Sequence, residues 1–242
     1  HVQDLISIDP ENFTLICEII PHLHGMSELA EEKYKMNKGT ALNKKKDIID
    51  VRPIGCKNPF MSIAGHMARF QENRKIQYLS GSTQMGGGIK GGVETIPHLL
   101  RTYLQNNPTH VVLKKDAKNA WGSLAKWAAL GAIQADFQDT AFEKAAVWEI
   151  GGITASTVFH DTKYGIAEKI YHYDGMLQGS NIAGDIYNLV QARVLKYGMS
   201  NVVNRENQPG EDGYVNHIED YDDVYIYGDP RSCIQMDEIY DR

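Results

Sequence analysis

The chain has 242 residues, 42% of them apolar and 23% charged, which is ordinary globular composition and enough length for one large domain or two small ones. It contains no run of 18 apolar residues and no basic start leading into an apolar segment, so neither a membrane span nor a signal peptide is expected. The net charge of −6 argues against a uniformly basic nucleic-acid binder, but it averages over two unlike stretches. From Lys33 to Lys126 there are seventeen Lys and Arg against five Asp and Glu; from Trp127 to Arg242 there are eight against nineteen. The first stretch suits phosphates and the second suits metal ions, the plain alternative being two solvated faces of opposite sign. Cys17, Cys56 and Cys233 are scattered and lack zinc-ligand spacing, which points to a reducing, intracellular compartment. A first residue that is His1 and not Met suggests a piece of a longer polypeptide.

The opening "IDPENFTLICEIIPHL" predicts a helix, with Asp9 as N-cap and Pro10 in its first turn. A polar stretch follows from Ser27 to Asn43. "ALNKKKDIIDVRPIGC" then predicts a hairpin, with strands near Asp47 to Val51 and around Pro53. Met61, Ala64, Met67, Ala68 and Phe70 are spaced for one face of a helix over Phe60 to Arg74. "QMGGGIKGGVE" is a loop by its glycine content. Ile96, Leu99, Leu100, Tyr103 and Leu104 form the next helical stripe, with Pro97 expected in the first turn. "THVVLKKD" predicts a strand ending at Asp116, and "NAWGSLAKWAALGAIQ" returns to helical spacing. Strands are expected in "GGITASTVFH" and "GIAEKIYHY", a helix in "AGDIYNLVQARVLKYG", and strand, turn, strand in "NHIEDYDDVYIYG". Helices mixed with hairpins give an α+β fold.

Two patterns carry chemistry. Gly86, Gly88 and Gly91 fit G-x-G-x-x-G, the outline of a dinucleotide-binding turn. The approach "YLSGSTQM" is not an apolar strand, and Lys90 is followed by glycine where a phosphate loop needs Ser or Thr, so a loop beside a substrate path is the better reading. The second pattern is acidic. Four of the five positions from Glu219 to Asp223 are carboxylates, and Asp116 closes a separate strand. If the strands are neighbours, Asp116, Asp222 and Asp223 converge, and like charges about 4 Å apart repel by roughly 4 kcal/mol near a protein surface. Hard divalent cations would offset that repulsion.

These segments resemble a family. "VVLKKDAKNAWGSL" is similar to the first palm motif of reverse transcriptases, a strand, an Asp and an aromatic five residues on. "YDGMLQGSNIAGDIYNL" resembles the second and "DYDDVYIYGD" the third, the Asp-Asp hairpin. "LNKKKDIIDVRPIGC" resembles the paired fingers strands, and "QMGGGIKGGVETIPHLLR" the Gln-x-Gly segment of the non-LTR retroelement branch. The resemblance runs in order from about Thr40 to Pro230.

It implies right-hand fingers and palm: an antiparallel palm sheet with helices on one face, and a thumb that would lie beyond the hairpin and is absent. The implied divisions are an N-terminal helical segment over 1–40, fingers over 41–80, and palm over 81–242 with a fingers-side insertion near 125–172. The implied activity is RNA-directed DNA polymerisation by two-metal phosphoryl transfer, with an RNA template, a DNA primer, deoxynucleoside triphosphates and two Mg2+ or Mn2+ ions. Asp116 and Asp222 would hold both metals, with Asp223 beside them. Trp121 would lie under the sugar, Gln178 and Gly179 would line the nucleotide pocket, and Arg52 with Lys45 or Lys46 would clamp the triphosphate. Lys57, Arg69, Arg74 and Lys75 are expected on the template backbone. The chain departs from the pattern at Asp220, Ser180, Lys114 and Lys115. Those departures and the acidic C-terminal half sustain one alternative, a catalytically degenerate palm-fold protein that binds nucleic acid or acts as a scaffold; the shared palm leaves a second, an RNA-dependent RNA polymerase.

Overall fold

The computed structural model describes residues 27–43, 51–87, 89–151, 156–161, 165–202 and 207–241. Its order is α1 (Glu28–Lys35), β1 (Met36–Asn43), β2 (Val51–Cys56), α2 (Pro59–Ser80), α3 (Gly92–Asn106), β3 (Val111–Asp116), α4 (Ala120–Ser123), α5 (Lys126–Phe137), α6 (Ala141–Ile150), β4 (Ser156–Asp161), β5 (Ile166–Tyr171), α7 (Ala183–Val202), β6 (Val215–Asp220), β7 (Asp223–Gly228) and α8 (Pro230–Tyr240). The described residues form two compact units, one within 1–73 and 121–186, the other within 74–120 and 187–242. The division falls inside α2 and α7.

The first unit is built on a mixed sheet of order β2-β1-β4-β5. β1 pairs antiparallel with β2 and parallel with β4, so two hairpins distant in sequence share one sheet. The helical opening expected over residues 9–24 lies outside the described residues. The polar stretch after it is ordered: Ser27 caps α1 by accepting from the Ala30 amide, with Glu28 and Glu31 in the first turn and Lys33 and Lys35 in the last. That charge order complements the helix dipole. Phe137 and Phe142 are fully buried with ring centroids 4.9 Å apart, an apolar anchor for α5 and α6.

The second unit is built on an antiparallel sheet of order β3-β7-β6. Side chains alternate across β7, and this alternation decides what covers each face. Val224 and Ile226 join Leu195 of α7 and Cys233 and Met236 of α8 in one core. Tyr225 and Tyr227 join Ile96 and Leu100 of α3 in another. The expectation of helices on one face is therefore corrected: both faces are covered, because β7 is apolar on both sides. Pro97 is also placed differently from expectation. α3 begins at Gly92, so the proline lies inside the helix and not in its first turn.

Candidate active site

The acidic residues meet at the end of the second unit's sheet. In the strand register Asp116 of β3 lies opposite Asp223 of β7, and Asp223 lies opposite Asp220 of β6. One rung across three strands is thus aspartate throughout, and cross-strand partners share a face with Cβ atoms about 5 Å apart. Asp222 sits beside the rung in the two-residue turn that joins β6 to β7.

Electrostatics mark the crowding. Burial, followed by the charges of Asp223, Asp116 and Asp220, pushes the Asp222 carboxyl above its usual range against the pull of its own backbone hydrogen bond. Burial and Asp223 push Asp220 up as well, while Lys114 draws it down. Lys114 occupies part of the site itself: its Nζ lies 3.0 Å from Asp223 Oδ2 and 5.6 Å from the centre of the Tyr225 ring. Lys115, on the other face, pairs with Asp237 of α8 and with Asp241 at that helix's C-cap, each at 2.8 Å. The two lysines that stand in apolar positions of the family pattern therefore each meet acid.

The donor set suits a hard divalent cation in kind, since Asp116, Asp222 and Asp223 offer only carboxylate oxygens. The grouping is open. Among the described residues no three His, Cys, Asp or Glu side chains stand close enough around one point to hold a metal ion.

A second set of residues holds the turn, and the sequence reading did not single it out. Tyr221 has φ of 51°, a left-handed conformation uncommon for a bulky residue. Its backbone is clamped: Tyr221 N–H donates to Gln84 Oε1 at 2.9 Å, and its carbonyl accepts from Gln191 Nε2 at 2.8 Å. Behind it lies Glu219, 0% exposed, whose carboxyl accepts from Gln191 Nε2 (2.8 Å), Thr83 Oγ1 (3.1 Å) and Gln84 Nε2 (3.3 Å). His217 Nε2 is 3.2 Å from the same group. Strain of this kind persists where the surroundings over-determine it. The signal available in sequence was the Gln84-x-Gly86 segment, whose glycine has a plain reason. A Cβ at Gly86 would come within 2.4 Å of an Asp220 carboxylate oxygen. The glycine loop runs along β6, with Met85 N–H donating to the Glu219 carbonyl at 2.7 Å. A helix, α2, precedes it, so the strand that a dinucleotide turn requires is replaced by a helix and that reading is set aside.

The residues expected at the nucleotide fall in the first unit, where several are drawn together. The Trp121 carbonyl accepts from Met176 N–H at 2.6 Å, and the Gln178 carbonyl accepts from Gly55 N–H, at the end of β2, at 3.0 Å. Glycine is required at both contacts. A Cβ on Gly175 would lie 2.1 Å from the Gly122 carbonyl oxygen, and one on Gly179 would lie 2.4 Å from that of Gly55; both have positive φ. Arg52 is in β2 opposite Leu42. Lys45 and Lys46 lie outside the described residues. Of the basic residues expected on a template, Lys57 pairs with Glu149 and donates to Ser180 Oγ at 2.9 Å, and Arg69 pairs with the buried Asp185. Arg74 and Lys75 are exposed on α2.

A mixed α/β fold with an acidic rung at the end of an antiparallel sheet is compatible with a polymerase palm-like fold. Comparison with solved structures agrees. Apo telomerase from Candida tropicalis superposes with TM-score 0.61 at 11% identity, over 88% of this chain and 41% of that one. Telomerase from Candida albicans in complex with a TWJ fragment of telomeric RNA gives 0.59 at 12%, over 88% and 40%. A Candida tropicalis telomerase truncated from its C-terminal domain gives 0.56 at 13%, over 86% and 46%. The chain spans less than half the length of each of these structures. No family model and no curated protein sequence matches it. At such identity the likeness establishes the fold, which is reverse-transcriptase-like.

Proposed function

We propose that this chain is the fingers-and-palm portion of an RNA-directed DNA polymerase, of the non-LTR retroelement type that its motifs resemble, extending a DNA primer on an RNA template with deoxynucleoside triphosphates. The observation that carries the reading is the aspartate rung. Side chains from three strands, of which β3 is remote in sequence from the β6–β7 hairpin, crowd carboxylates at one sheet end, which supports the site that the resemblance implies. Two Mg2+ or Mn2+ ions held by Asp116 and Asp222, with Asp223 beside them, would supply activation of the 3′-hydroxyl and charge stabilisation at the pyrophosphate. The chain's own groups do the remaining work. Gln84, Gln191 and Glu219 fix the turn that carries Asp222. Trp121 sets the room beneath the sugar, where a bulky ring discriminates against a 2′-hydroxyl. Gln178 and Gly179 border the base, and Arg52 with Lys45 or Lys46 receives the triphosphate.

Primer extension on an RNA template tests this. Asp116→Asn is expected to reduce extension at least about a hundredfold, the loss typical of removing a group that stabilises transition-state charge. Extension undiminished in a folded Asp116→Asn protein would end the proposal. A specific observation favours a second reading. Lys114 already neutralises Asp223, as it would in a palm-fold protein that binds RNA without polymerising. RNA binding without extension by wild type would select it. Ribonucleotide incorporation unchanged on trimming Trp121 would select an RNA-dependent RNA polymerase.

A further inference from the structure

A cavity of about 40 Å3 lies wholly within the first unit, with Lys35, Lys57, Lys126, Trp148, Glu149 and His172 on its wall. That is room for about three water molecules, the size of a small oxyanion. The wall is electropositive and largely buried. Lys35, 4% exposed, donates to the Gly151 carbonyl at 2.6 Å, pairs with Glu31 at 2.8 Å and lies 5.2 Å from the centre of the Trp148 ring. Lys126 Nζ donates to the His172 carbonyl at 2.9 Å, and Lys57 pairs with Glu149. Among the described residues the wall thus sets three lysines against one carboxylate, Glu149, with Glu31 and Asp174 as further acids beside Lys35 and Lys126. Burial first, with the Lys35 charge, holds the Lys126 ammonium below its usual range against the opposing pull of Asp174, and burial and Lys126 lower the His172 imidazole.

Two residues of this wall each carry a buried polar atom that has no hydrogen-bond partner among the described residues: Trp148 Nε1, which can only donate, and Glu149 Oε1, which in its ionised form can only accept. Leaving such groups unpaired is costly, so their presence together defines what would fill the space. The occupant must carry negative charge for the lysines, a bare oxygen for Trp148 Nε1 and a donor for Glu149 Oε1. Chloride, carboxylates and sulfate have no donor at neutral pH and would set a lone pair against Glu149. A protonated phosphate has all three features and, with three bare oxygens and a double negative charge against the two oxygens and single charge of hydrogencarbonate, is the better match to three lysines and Trp148.

We propose that this cavity is a binding site for the hydrogen phosphate ion, its bare oxygens accepting from the lysines and Trp148 and its hydroxyl donating to Glu149. The site belongs to the first unit and stands whether or not the aspartate rung polymerises.

Calorimetric titration of the intact protein, in chelator and zwitterionic buffer, provides the test. Inorganic phosphate is expected to bind at one saturable site, and sulfate about tenfold or more weaker, the discrimination expected of a hydrogen bond to a charged group. Phenyl phosphate is expected to bind about tenfold weaker still, because the cavity has no room for a ring. Trp148→Phe and Lys126→Met should each weaken phosphate about tenfold. Glu149→Gln should bring phosphate and sulfate to within about threefold of one another. The wild-type comparison needs no variant to fold. Absence of saturable phosphate binding, or sulfate binding as tightly as phosphate, overturns the proposal. Equal binding of phenyl phosphate also overturns it, since the phosphate would then belong to a larger molecule entering from outside.

Discussion

The two units crowd like charges in opposite ways. In the first unit lysines are packed into the interior, and most find backbone carbonyls, a hydroxyl or a carboxylate within hydrogen-bond reach. In the second, aspartates stand at the end of a sheet, partly solvated, with Lys114 as a neighbouring cation. The difference shows where repulsion is tolerated. Interior charges need fixed partners because burial penalises the ionised form, whereas charges at a sheet end can lean on water and remain available to an incoming ion.

Breaking the fixed partners should cost most. Gln191→Ala removes a donor from the fully buried Glu219 and from the Tyr221 carbonyl, and is expected to destabilise the second unit by about 3 kcal/mol in urea unfolding. Lys57→Met leaves the Glu149 carboxylate, with a side chain 15% exposed, without its cation. A loss of about 2 kcal/mol is expected, less than for a wholly enclosed pair.

Dependence on pH sharpens the contrast, because the two units weaken at opposite ends of the scale. His172 is held below its ordinary value of 6.5, so its contribution to stability is complete above that value and is lost as pH falls through the lowered one. Cys233 is pushed from 9.0 up to about 12 by burial first and then by Asp229, and Tyr227 from 10.0 to about 12, chiefly by burial. Their contribution is complete below the ordinary values and is lost as pH rises through the raised ones. Thermal unfolding followed against pH should therefore show an acid limb that flattens in His172→Gln and an alkaline limb that flattens in Cys233→Val. The smallest effect is expected at Lys114. Its side chain is 51% exposed, so Lys114→Met should change stability by less than about 1 kcal/mol. It should nonetheless tighten Mn2+ binding, measured by electron paramagnetic resonance, by freeing Asp223.

The short runs rich in β-branched and aromatic residues were legible. "VVLKKD" and "IEDYDDVYIYG" gave strands β3, β6 and β7 close to their bounds, and Asp116 and Asp223 are register partners, as convergence at one sheet end requires. The polar stretch from Ser27 hid α1 and β1, although a Ser cap with acids first and bases last was present. The signal for α6 was the pair Thr140 and Glu143 at capping-box spacing. Thr140 accepts from the Glu143 amide, and Glu143 returns a carboxylate to the Asp139 N–H, a reciprocal cap. The Glu219 network was illegible for a physical reason. Glu219 sits in an acidic run that looks solvated, and only the alternation of β6 turns it inward among glutamines brought from other elements. The parallel pairing of β1 with β4 depends on strands too distant in sequence for any local pattern to reveal.

One feature of the second sheet bears on how the molecule is made. β3 leaves the ribosome on the order of a hundred residues before β7, its only strand partner among the described residues, so the aspartate rung is closed by a late, non-local encounter, which slows folding. β3 is a terminal strand of this sheet, and a chain that stops short of the final hairpin would uncover the edge that β7 pairs, a template for aggregation. Nascent fragments ending before β6 should accordingly collect as insoluble material, whereas those extended through α8 should not.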